Sequence, residues 1–169
     1  MANNHYGARS LARLATAHED LQRLMKRVGE GFPNTILEGE RTVEQQEKNV
    51  AKGVSKTMNS KHITGEGVRD LAEAVDAAPD PLSWPQASKL LSRIETVAGQ
   101  LTGEQETEVM ALVEGYVREV ARWYYFGGFV SGTAEEMGIN IRWGGDWDSD
   151  RGDLEDQTFH DLPHFEIRL

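Results

Sequence analysis

The chain has 169 residues, no cysteine, a formal charge of -10 and a hydrophobic fraction of 38%, so it reads as one domain with a sizeable core and no thiolate metal site or disulfide. Its acidity argues against nucleic acid as a partner, because binding that backbone needs a basic face. No apolar run approaches the length of a membrane span, and the start, Met1-Ala2-Asn3-Asn4-His5-Tyr6, has no apolar signal-peptide core, which predicts a soluble protein not exported by a cleaved signal.

Across residues 8–28, Leu11, Leu14, Ala15, His18, Leu21, Leu24, Met25 and Val28 fall on one helical stripe. His18 lies on that apolar face, where a packed histidine is the expectation and a ligand the alternative. After Gly31 and Pro33, Thr35-Ile36-Leu37 predicts a short strand. Thr42 and Gln45 have the spacing of a capping box and open a helix ending near Gly53. Ser83 ahead of Trp84-Pro85 marks another helix start, with Leu90, Leu91, Ile94, Val97 and Ala98 as its buried stripe. Thr102 and Gln105 form a second capping box. The helix behind it carries Val109, Met110, Val113, Tyr116, Val117, Val120 and Tyr124 to a break at Gly127-Gly128. Trp123-Tyr124-Tyr125-Phe126 reads as core at this spacing, although such a run can also make a binding platform. A short helix through residues 134–137 stops at Gly138, and residues 139–143 and 164–168 alternate like strands. The prediction is an α+β fold, helices packed on a small antiparallel sheet that holds the histidines, in a single domain spanning residues 1–169.

Two short motifs concentrate the reactive side chains. Ser60-Lys61-His62-Ile63-Thr64-Gly65 and Asp161-Leu162-Pro163-His164-Phe165-Glu166 each hold one of the five histidines, and Asp161 precedes His164 by three residues. A catalytic zinc site needs imidazole nitrogens, one carboxylate, an open position for water and a second carboxylate as general base.

Further blocks accompany them in order: Gly39-Glu40-Arg41-Thr42 with Gln45 and Gln46, Gly53-Val54-Ser55-Lys56, Glu73-Ala74-Val75-Asp76-Ala77-Ala78-Pro79, and Arg142-Trp143-Gly144-Gly145-Asp146-Trp147. Together these resemble the blocks of the zinc D-Ala-D-Ala carboxypeptidases and their phage endolysin relatives, most of all the L-alanyl-D-glutamate endopeptidases that cut the peptide stems of peptidoglycan. The likeness runs from about residue 35 to the end, apart from a helical insertion around 84–126. It implies a fold of the hedgehog and D-Ala-D-Ala peptidase type, with zinc held by His62, Asp76 and His164. It also implies Asp161 as the general base, and Arg41 facing either the anionic tetrahedral intermediate or a substrate carboxylate.

The family's block runs Ser-x-His-x-x-Gly-x-Ala-x-Asp, which places the ligand aspartate seven residues after the histidine. Here position 69 is Arg, Asp70 comes one place late, and Asp76 lies further on inside the longer Ala-Val-Asp match. Residues 66–72 then read as an insertion, with Asp76 preferred and Asp70 the alternative. Val68, Leu71, Ala72 and Val75 have helical spacing, so periodicity alone predicts a helix there. Residues 146–156 carry six carboxylates in eleven positions. Asp146, Asp148 and Asp150 alternate as in a calcium loop, but Arg151 occupies the place of the turn glycine and no Glu stands at the twelfth position. A regulatory Ca2+ site and a plain solvated acidic loop are both open. His160 reads as a neighbour of the base rather than a fourth ligand, because a catalytic zinc keeps one position open.

These readings predict a phage endolysin: a zinc metallopeptidase that hydrolyses the L-Ala–D-Glu bond of bacterial peptidoglycan and so lyses the host. It is expected to be monomeric, made in the host cytoplasm, and to reach the wall through a separate membrane-hole protein. The alternatives are a D-alanyl-D-alanine carboxypeptidase and a non-catalytic zinc-stabilised interaction module. Asp161 separates enzyme from module, since a zinc ion kept only for structure has no need of a base.

Overall fold

The apolar stripe of residues 8–28 folds as two helices rather than one. The computed structural model describes residues 6–97, 102–150 and 159–168, and in it α1 (Ala8–Leu14) and α2 (Glu19–Gly31) are separated by a turn. In that turn Ala17 bridges to Ala72, and the half-buried His18 caps α2, its Nδ1 accepting from the Asp20 N–H at 3.2 Å. The stripe hides the break because both helices bury the same side: Leu14, Leu21, Leu24, Met25 and Val28 are all buried.

Four strands, β1 (Asn34–Glu38), β2 (Ala74–Pro79), β3 (Ile141–Trp143) and β4 (His164–Ile167), form one antiparallel sheet in the order β1-β2-β4-β3. This is the α+β architecture expected. Strand alternation sends Val75, Ala77, Phe165 and Ile167 into the core, leaving Asp76, His164 and Glu166 on the other face. Between β1 and β2 lies α3 (Val43–Ala51), opened by the reciprocal bonds of Thr42 and Gln45. Residues 66–72 are looped, not helical. Arg69 folds back there, its Nη1 donating to the carbonyls of Ser60 and Ile63 at 3.0 and 3.1 Å.

The remaining helices are α4 (Ala87–Val97), which starts later than Trp84-Pro85 predicts, and α5 (Gly103–Glu136). Gln105 accepts from the Thr102 N–H at 3.0 Å at the head of α5. Gly127-Gly128 does not break this helix, which continues for 34 residues, roughly 50 Å at the usual rise. A Cβ at Gly127 would stand 2.2 Å from the Trp143 ring, so the missing side chain makes room for an indole instead of ending a helix. The separate helix predicted at residues 134–137 is the last turn of α5.

Buried residues of α5 begin only at Trp123, with Phe126, Val130 and Ala134 behind it. Its earlier half stands off the core beside α4, joined by the Arg93–Glu108 ion pair, while Trp84, ahead of α4, stacks on Trp123 at 4.7 Å. Leu91, Ile94, Met110 and Val117, expected in buried stripes, are therefore exposed: two paired helices away from the core cover only a narrow seam. The aromatic run divides likewise. Trp123 and Phe126 are buried, Tyr124 is half-buried, and Tyr125 is 69% exposed. The helical insertion thus shares its second helix with the core. At the other end of the chain, Tyr6 is buried with its hydroxyl 2.8 Å from the Met25 carbonyl and 2.6 Å from Asn34 Oδ1.

Candidate metal centre

Sheet register assembles most of the site. Asp76 of β2 stands opposite His164 of β4 on one side and Glu38 of β1 on the other, so three polar side chains form a row across neighbouring strands. His62 joins from the loop before β2. Its backbone is held by strand-like bonds to Arg41, with Arg41 N–H donating to the His62 carbonyl at 2.8 Å. His62 Nε2, Asp76 Oδ1 and His164 Nδ1 then lie 3.0 to 3.2 Å apart. Asp70 is not part of this group.

The outer ring nitrogens decide what the inner ones can do. His62 Nδ1 is 2.6 Å from the Gly39 carbonyl, which can only accept, so that nitrogen carries the proton. His164 Nε2 is 3.1 Å from Glu166 Oε2. Glu166 is ionised: burial alone would raise its pKa, but His164 and Arg142 hold it down at about 2. When neutral, both rings therefore turn a lone pair toward each other and toward the Asp76 carboxylate. Such a group needs a cation in its middle. Without a metal the proton serves, and His164 shows it. Burial would lower its pKa, but Asp76 and Glu166 raise it to about 9. Asp76 responds in the opposite direction, its burial outweighed by the two imidazoles, which push it far below the usual carboxylate range.

The donor set fits zinc. Two imidazole nitrogens and a carboxylate oxygen are its usual ligands, and tetrahedral bonds of about 2.0–2.1 Å put ligand atoms roughly 3.3 Å apart, close to the spacing seen here. A carbonyl and a carboxylate behind the two rings are the usual outer partners of metal-binding histidines.

Asp161 and Arg41 flank the group. The turn carrying Asp161 is closed by His164 N–H donating to the Asp161 carbonyl at 3.0 Å and Asp161 N–H donating to the Gly144 carbonyl at 2.7 Å. A Cβ at Gly144 would lie 2.3 Å from the Asp161 carbonyl oxygen, so this approach requires glycine. Burial raises the pKa of Asp161, as does Asp76, against the opposing pull of His164, His62 and Arg41. Arg41 donates from Nε to Glu38 at 3.0 Å and from Nη1 to Gln46 at 2.6 Å. Its own pKa is raised: burial lowers it, but Glu38, Asp76 and Asp161 prevail.

Other parts of the site went unread in the sequence. Glu166 is two residues beyond His164 on the same strand face, a signal that strand alternation offered. Glu38 emerges only from register, and the part played by the fully buried Gln46, a motif residue in the sequence, only from packing. Trp147 leans on the His164 ring at 5.5 Å and Phe159 stacks on Trp147 at 6.3 Å, with Lys56 over Phe159 at 4.9 Å and Arg142 over Trp147 at 5.3 Å. His160 Nδ1 lies 3.3 Å from the Tyr124 hydroxyl and is not in the metal group. Asp146, Asp148 and Asp150 form a second group whose carboxylate oxygens lie within 4.8 Å of one another. Arg151 and the acids at 153, 155 and 156 lie outside the described residues.

Residues 2–104 match the profile of the phage L-alanyl-D-glutamate peptidases. The chain belongs to that family. It is 27% identical over 157 residues to the L-alanyl-D-glutamate peptidase of Escherichia phage T5, covering 90% of this chain and 87% of that one. The crystal structure of the Serratia marcescens L-Ala D-Glu endopeptidase ChiX shares the fold, with a TM-score of 0.58, 23% identity, and coverage of 98% of this chain and 92% of that chain. Among the described residues no helix is long and apolar enough to cross a membrane.

Proposed function

We propose that this family member is a zinc-dependent peptidoglycan peptidase, a phage endolysin that hydrolyses the L-Ala–D-Glu bond of the stem peptide and lyses the host. The observation that carries the metal part is the pair of imidazole nitrogens converging with Asp76, each ring fixed from behind by Gly39 or Glu166. His62, Asp76 and His164 would hold the ion. When bound there, zinc lowers the pKa of a water to about 7 and polarises the scissile carbonyl. Asp161 takes the proton of the attacking water and passes it to the leaving amine. Burial brings its pKa up toward the operating pH, where a base works best, and a cation held by the neighbouring ligands would favour the ionised form that accepts the proton. Arg41, held by Glu38 and Gln46, supplies fixed positive charge facing the developing oxyanion. The acidic group of Asp146, Asp148 and Asp150 is proposed as a regulatory calcium site.

Digestion of purified peptidoglycan followed by mass spectrometry tests the bond. The expected product has a new amino terminus on D-glutamate. Release of terminal D-alanine instead would favour the carboxypeptidase reading, and absence of cleavage by the zinc-loaded protein would favour an interaction module.

A further inference from the structure

Lys56 stands out among the cations on the aromatic side chains that lead away from the metal group. The chain carries a charge of -10, yet among the described residues the ammonium has no carboxylate partner and rests on the Phe159 ring, 4.9 Å from its centroid. Phe159 stacks on Trp147 with the rings 16° from parallel, and Trp147 meets the His164 ring. A continuous aromatic surface thus runs from the metal group out to Lys56.

The segment carrying Lys56 is fastened from inside. Gln46 is fully buried and donates from Nε2 to Ser55 Oγ at 2.8 Å and to the Thr57 carbonyl at 2.5 Å, one residue on either side of Lys56. The same amide accepts from Arg41 at 2.6 Å through its oxygen. One buried side chain therefore sets the positions of two cations, one beside the metal group and one at the end of the aromatic surface. The backbone around Lys56 is fixed while its ammonium stays exposed, an arrangement suited to meeting an anion from solvent.

Resting on the peptidase reading above, we propose that Lys56 is a specificity-determining residue that binds the free carboxylate of the glutamate on the amine side of the cleaved bond. Alanine, on the other side, brings no charge. Glutamate has two carboxyl groups: one continues the stem peptide and the other remains ionised within a few bonds of the scissile nitrogen. The Phe159–Trp147 surface supports the aliphatic part of that residue, and the ring face below Lys56 holds the ammonium over it.

Two synthetic stem peptides test this, one with the free D-glutamate carboxylate and one with that carboxyl converted to the amide. Wild type, Lys56→Met and Lys56→Arg, all zinc-loaded, are compared for kcat and KM on both. Wild type is expected to favour the acid by about 5-fold, chiefly in KM, the scale of an exposed ion pair, with the preference shrinking at high salt. Lys56→Met abolishes the preference and Lys56→Arg retains it. Calorimetric binding of the glutamyl product, acid against amide, should rank the three proteins in the same way without turnover. Acid preference intact in Lys56→Met, or equal handling of both peptides by wild type, overturns the assignment of Lys56 while leaving the peptidase reading standing. Cleavage of neither peptide by wild type removes both.

Discussion

Replacing Glu166 with glutamine perturbs the group behind His164 without changing its volume. Glu166 is 5% exposed and uses both oxygens, Oε2 at 3.1 Å from His164 Nε2 and Oε1 at 3.0 Å from Arg142 Nε. Glutamine offers one oxygen and one NH2, so either Arg142 or His164 must face a donor. Losing one hydrogen bond to a charged group costs about 1.5–3 kcal/mol. Removing the outer partner of a metal-binding histidine typically weakens metal affinity about 10–100-fold, which is about 1.4–2.7 kcal/mol on the same scale. The two ranges coincide, so most of the loss should appear in metal binding. The assay is competition for zinc against a chromophoric chelator at neutral pH, with melting temperatures of the metal-free proteins measured alongside. Glu73→Gln, which touches the Lys61 ion pair and not a ring nitrogen, serves as the control. Zinc affinity of Glu166→Gln within twofold of wild type would show that Glu166 does not orient His164.

His62→Ala, His164→Ala and Asp76→Ala should each lose the one zinc per chain expected of wild type, and Asp70→Ala should keep it; full zinc in both histidine variants refutes the site. Asp161→Asn should retain zinc and fold while losing on the order of 10²-fold or more in wall hydrolysis, and Arg41→Ala should lose rate mainly in kcat. Near-wild-type hydrolysis by Asp161→Asn rules out that base. Millimolar calcium should raise the melting temperature of wild type but not of the Asp148→Ala, Asp150→Ala double variant, and an identical response in both discards the calcium site. Tyr6→Phe should cost about 1–2 kcal/mol, because the phenol's bond to Met25 or Asn34 is buried. Burial raises the Tyr6 pKa above its usual value near 10, so its neutral form is the one folding favours; its contribution is complete below about pH 10 and is lost as pH rises further. Tyr6→Phe should therefore flatten the alkaline limb of a stability profile, and an equally steep limb would contradict the assignment.

What the sequence revealed was mostly local or periodic. The Thr42–Gln45 capping box needs only a spacing of three, and the strand carrying His164 alternates in sequence, whereas the mostly apolar strand carrying Asp76 was legible only through its motif. The failures all came from tertiary context. Two helices burying one shared side look like a single stripe, so periodicity hides the break at Ala17–His18, and only the acidic pair Glu19 and Asp20 after His18 marks the second start. Gly127 reads as a breaker until Trp143, a distant partner in sequence, claims its space. Residues 66–72 have helical spacing, yet Arg69 turns the segment back on the His62 loop. In the site, motif order brought His62, Asp76, His164, Asp161 and Arg41 to notice. The place of Glu38, the bonds of Gln46 and the stacking of Trp147, Phe159 and Lys56 depend on sheet register and side-chain packing, which no single motif encodes.

His62 and His164 face each other across 102 residues of chain, and Asp76 joins them only when β2 and β4 are in register. An unfolded or partly folded chain therefore has no nest for the ion, and a one-residue slip of β4 would send His164 to the opposite face. Capture of the metal becomes a late event that records completed topology rather than a seed that starts it. Kinetically, zinc should then act as a latch: it should slow unfolding greatly and hasten folding little. Chelation would shorten the life of the folded molecule without altering the route by which it forms.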